Sequence, residues 1–115
     1  MALKATGGDL LLNSIAGDSV AVSLGRAACA FPSDADFTPG ASIYAKRQLD
    51  ITGTLTAGRN LILPLVDGAE FVIINGTGQT VTVKGATGTG IAVATAKTAI
   101  VRCNGTNYYR VTADV

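Results

Sequence analysis

The sequence predicts an all-β domain: a small antiparallel β-sandwich or barrel with an irregular N-terminal segment. Three observations carry this. Apolar residues recur at every second position in short runs. Those runs are separated at close spacing by glycines and by Asn-Gly and Asp-Gly pairs, the residues of tight turns. No apolar stripe of helical period runs along the chain. At 115 residues the chain is read as one domain, 1–115, with enough length for a single core. That core must be built from Val, Ile, Leu and Ala, because there are three Phe, three Tyr and no Trp.

The elements follow in order. Residues 1 to about 48 are irregular, and 1–15 are read as a candidate N-terminal arm that orders on a partner. Leu10, Leu11 and Leu12 would be its adhesive part, or else a core strand. Val20, Val22 and Leu24 alternate with Ala21 and Ser23, which predicts a strand. "FPSDADFTPG" reads as loop, since Pro32 and Pro39 lack donors and Ser33, Asp34 and Asp36 favour turns. A short helical turn near Ser33 is compatible with capping by Ser and Asp.

From Leu49 the pattern is cleaner. Leu49, Ile51 and Leu55 fall near one face, with Gly53 as a bend or bulge. "NLILPL" alternates Leu61, Leu63 and Leu65, and Pro64 places that strand at an edge or at its end. Asp67-Gly68 predicts a hairpin leading into the strand "EFVIIN". "TVTVK" points Val81 and Val83 inward. "IAV" and "AIVRC" are two further strands. Asn104-Gly105 closes a last hairpin into "YYRV", where Tyr108 and Tyr109 take opposite faces, one core and one surface. Arg102 and Arg110 flank this turn, and facing each other they would need an acid between them, supplied for instance by a neighbouring subunit.

Composition excludes several kinds of chemistry. The chain has no His, so a Ser–His–Asp triad, a Cys–His nucleophile and a Cys/His zinc site cannot be built. Cys29 and Cys103 form no Cys-x-x-Cys and read as two small buried side chains; a disulfide between them is open but not legible from spacing. Asp34 and Asp36 read as turn residues rather than as cation ligands, since the loop lacks further oxygen donors. "GATGTG", Gly85 to Gly90, has the wrong glycine order for a dinucleotide loop and lies between two strand-like runs, so it reads as a turn. Glu70 is expected to face solvent. No catalytic, metal or cofactor site is predicted, and no enzymatic activity is expected. The net charge is +1 and Lys46-Arg47 is the one basic pair, so no nucleic-acid partner is expected. No run reaches the roughly 20 apolar residues of a membrane span, and no secretory signal is convincing, so no membrane partner is expected.

Order and spacing in the second half carry a resemblance. "LILP" (Leu61 to Pro64), "GAEFVIIN" (Gly68 to Asn75), "TVTVK" (Thr80 to Lys84) and "GTGIAVATAKTAIVRCNGTNYYRV" (Gly88 to Val111) succeed one another over roughly half the chain. This series resembles a β-module of tailed-bacteriophage virion proteins, found in head decoration proteins and in tail fibres. Two positions depart from the usual pattern: Asn104 stands where Asp is frequent, and Ala96 where Gly is frequent.

The resemblance implies a non-enzymatic, β-rich, commonly oligomeric virion component. The expected function is capsid decoration or cement on the outer head surface, with the major capsid protein and copies of this chain (a trimer or dimer) as partners. Such a protein would be made in the host cytoplasm and reside in the virion. The alternative is a tail-fibre or tail adaptor component used in host attachment. The short length and the lack of repeats favour decoration over a fibre shaft. Candidate partner-contact residues are Leu10, Leu11, Leu12, Tyr108 and Arg110.

Overall fold

A computed structural model describes residues 25–113; the arm at 1–15, Leu10 to Leu12 and the Val20–Leu24 strand lie outside these residues. Among the described residues, eight strands and one helical turn follow in chain order. They are β1 (Arg26–Ala30), α1 (Ala41–Tyr44), β2 (Gln48–Thr52), β3 (Arg59–Ile62), β4 (Glu70–Asn75), β5 (Val81–Lys84), β6 (Ile91–Val93), β7 (Thr98–Cys103) and β8 (Tyr108–Arg110). One sheet has the order β1-β2-β4-β7-β8, the other β3-β5-β6.

The all-β sandwich expected from the period-two pattern is present, but its strand directions are mixed. β2 runs parallel to both β1 and β4, and β3 runs parallel to β5. The pairs β4/β7, β5/β6 and β7/β8 are antiparallel. The reason is the path of the chain. From β2 it passes to the second sheet for β3, returns for β4, and crosses again for β5. A strand reached after such a crossover lies beside its predecessor in the same direction, which a tight hairpin cannot achieve. The Asp67-Gly68 turn is therefore no hairpin. It carries the chain between the sheets, and it is held at the end of β7 by Gly68 N donating to Cys103 O at 2.8 Å and Cys103 N to Ala69 O at 2.8 Å. The Asn104-Gly105 turn does join an antiparallel pair, β7 and β8, as expected.

The side-chain alternation became the core. Leu49, Ile51, Phe71, Ile73 and Val101 face inward from the five-stranded sheet, and Leu61, Val81, Val83 and Val93 from the three-stranded one. Each such side chain contributes about 1.5–3 kcal/mol by leaving water. β1 was not anticipated. Ala27 and Cys29 point in while Arg26, Ala28 and Ala30 point out, but Ala on both faces hides the period.

The helical turn is at Ala41–Tyr44, after Gly40, not near Ser33. Asp34 and Asp36 are unavailable as caps because they bind elsewhere. Asp34 accepts from Thr56 N, from the Thr56 hydroxyl and from Arg59 Nε at 2.9 Å. Asp36 accepts from Asn60 N at 2.8 Å and Asn60 Nδ2 at 3.2 Å. The two carboxylates thus fasten this loop to the start of β3.

Gly76 is among the glycines required by close approach. Gly76 donates its N–H to Ile51 O at 2.8 Å, and a Cβ there would meet the same oxygen at 2.8 Å. This contact lets the chain leave β4 close against the end of β2.

Candidate partner-binding face

Of the predicted contact residues, Tyr108 lies in the core. It is 2 % exposed, its ring packs 6.3 Å from that of Phe71, and its hydroxyl donates to Pro64 O at 2.6 Å. Burial pushes that hydroxyl's pKa upward. As expected of the pair, the other tyrosine is at the surface: Tyr109 is 41 % exposed. The register of β8 turns Tyr108 inward, so the tyrosine this strand presents at the surface is Tyr109, not the predicted Tyr108. Arg110 reaches over the edge and donates through Nη2 to Ala92 O at 2.6 Å, tying β8 to the other sheet.

Arg102 and Arg110 do not face each other. Arg102 pairs with Tyr109 and Val101 with Arg110 in the β7–β8 register. The acid beside Arg102 is this chain's own Glu70, directly opposite it on β4. Glu70 is not free in solvent. Its Oε1 lies 3.3 Å from Arg47 Nη2 and 3.6 Å from Arg102 Nη2. Two guanidiniums thus converge on one carboxylate oxygen. A hydrogen bond with Tyr109, and then the charge of Glu70, raise the pKa of Arg102 further. Among the described residues, the buried Nε of Arg47 has no hydrogen-bond partner. Glu70, 23 positions away from Arg47, becomes its neighbour only through the parallel β2–β4 pairing.

Tyr44, at the end of α1, stands between two hollows and lines both. One, of about 450 Å³, is apolar and bounded by Pro39, Ile62, Pro64, Leu65 and Ala86. The other, of about 310 Å³, is bounded by Lys46, Arg47, Gly68 and Glu70. On the outward side of the five-stranded sheet, Val72 and Ile100 are half-buried register partners with Ile74 beside them. Val111, 44 % exposed, extends this strip through its N–H to Ile100 O at 2.8 Å. The Arg47–Glu70–Arg102 trio borders the strip at one end, and Arg26, bonded to Asp50, borders it toward β1.

The remaining candidate groups serve the fold. Cys29 and Cys103 are buried free thiols, as the reading of two small buried side chains expected. Burial pushes the Cys29 thiol up to about 11, which leaves it without nucleophilic thiolate near neutrality. Cys103 Sγ accepts from Gly105 N at 3.3 Å. Among the described residues, no three His, Cys, Asp or Glu side chains are grouped to hold a metal ion.

Both departures from the phage pattern have a local account. Asn104 uses only its Oδ1, accepting from Thr106 N at 3.0 Å and Asn107 N at 2.9 Å, and a carboxylate could do the same. Ala96 has φ +62°, the left-handed region where glycine is at ease. No protein-family model, curated protein or solved structure matches the chain.

Proposed function

We propose that this protein is a non-enzymatic structural component of a tailed-bacteriophage virion, a decoration or cement protein on the outer surface of the head. Its partners would be the major capsid protein and further copies of the chain. The observation that carries this reading is the ordered series from Leu61 to Val111, whose pieces form β3 through β8 and the turns between them.

The surface supports the same reading. The outward Val72–Ile100–Val111 strip and the hollow beside Tyr44 are apolar patches with polar borders, the kind of surface that protein contacts cover. A cement protein acts by such burial across a joint.

Immunogold electron microscopy of purified virions with an antibody to this chain tests the proposal. Label spread over the head is expected, with loss of heat or osmotic resistance when the protein is removed. Label confined to the tail would overturn head decoration in favour of an attachment component. Unlabelled virions would overturn the virion assignment altogether.

A further inference from the structure

We propose that the face around Tyr44 receives an acidic segment of a partner protein, with a carboxylate side chain seated on the exposed side of the Arg47–Glu70–Arg102 trio and an adjacent apolar side chain in the hollow against Pro64 and Leu65. This rests on the structural-protein reading above and specifies the chemistry of the partner. The basic half of the face carries more cations than acids among the described residues. Arg47 and Arg102 share one oxygen of Glu70, Arg102 bonds Tyr109 as well, and Lys46 adds a further cation at the hollow's rim. The side chains of Arg47 and Arg102 are 43 % and 46 % exposed, so an incoming carboxylate can reach their guanidiniums and form charge-assisted hydrogen bonds. Arginine suits this because its planar fork matches a carboxylate.

The ligand class follows from what surrounds the pair. A phosphate polymer needs a run of cations. Here Glu70 sits between the two arginines, so the site accommodates one added negative charge rather than a string of them. The hollow against Pro64 and Leu65 is apolar and shares Tyr44 as a wall with the basic one, so a side chain neighbouring the carboxylate can be buried at the same time. Tyr44 and Tyr109, 36 % and 41 % exposed, supply the rigid amphipathic surface on which such contacts concentrate.

The test uses the purified, isotope-labelled full chain in low salt. It is titrated by NMR with N-acetyl-Leu-Glu-amide and, separately, with N-acetyl-Leu-Gln-amide. The acidic dipeptide is expected to bind at least about threefold more tightly, by the gain of one charge-assisted hydrogen bond. Shifts should centre on the Arg47 and Arg102 Nε–H signals and the Leu65 and Ala86 amides. Arg47→Gln should remove the preference. Arg102→Gln, at a 46 % exposed side chain on the outer face of β7, serves as the second variant should Arg47→Gln unfold.

Equal response to the two dipeptides, or shifts centred elsewhere, would overturn the proposal. So would tighter binding of inorganic phosphate than of the acidic dipeptide, or dimerisation of the chain through this face. No virion enters the assay, so its failure leaves the head-labelling experiment standing, and a failure of head labelling leaves this result readable.

Discussion

The side-chain amide of Asn75 donates to the carbonyl of Val93 at 2.9 Å and so joins the inner end of β4 to β6 in the opposite sheet. Asn75 is 1 % exposed and its polar atoms are fully used. Nδ2 also donates to Gln79 O at 2.8 Å, and Oδ1 accepts from Thr77 N at 3.0 Å and lies 2.7 Å from the Thr77 hydroxyl. One polar residue thus pins the turn that carries the chain from one sheet to the other.

Replacing it should be costly. Asn75→Ala strips partners from buried carbonyls and a buried N–H, each worth about 1–3 kcal/mol when orphaned. A net loss of about 2–4 kcal/mol is expected from urea unfolding, as a lower midpoint at unchanged slope. A loss under about 1 kcal/mol would show that water replaces the network.

Ala96 points the other way. Its φ of +62° is unfavourable for an L-residue by about 1–2 kcal/mol, partly offset by the greater unfolded freedom of glycine. Ala96→Gly should therefore raise stability by about 0.5–1 kcal/mol, and Ala96→Val should lower it by more than that. Thermal unfolding of the three chains side by side checks the order.

Asp34 should make the protein acid-sensitive. The hydrogen bond from Arg59, followed by those from Thr56, holds its carboxyl at about 2, below the usual value of 3.8. A pKa depressed by folding means that the unfolded chain takes up the proton first. The stabilisation is thus complete above about pH 4 and is lost as pH falls towards 2. Asp34→Ala should be less stable at pH 7, and the gap should close on acidification. A pH-independent gap, measured by denaturant midpoints from pH 7 to 2, would mean that shape rather than charge matters there.

The thiols should be silent in the native state. Cys29 and Cys103 are 0 % and 1 % exposed. Ellman's reagent at pH 8 should find no fast-reacting thiol in the folded protein and two after denaturation. Prompt reaction of either would show local opening of β1 or β7.

Much of the fold was legible in one dimension. The alternation in "TVTVK" assigned Val81 and Val83 to the interior, because a strand's side chains alternate whatever its neighbours are. The turns at Gly85 to Gly90 and at Asn104-Gly105 were legible for the same local reason. β1 was not, since a run of alanines has no visible period. The basic side of the candidate face was not legible either: Arg47, Glu70 and Arg102 sit on three separated stretches of the chain.

The sequence by itself thus determined that the chain makes strands, that those with clear alternation bury residues such as Val81 and Val83, and that a histidine-dependent site is impossible. Those properties follow from side-chain period and residue type, which are local. Only the tertiary structure decided which strands pair, that three of the pairs are parallel, that Tyr108 rather than Tyr109 is the buried one, and that two arginines share one glutamate. Strand pairing depends on how the chain crosses between sheets, and no period within a single strand encodes that path.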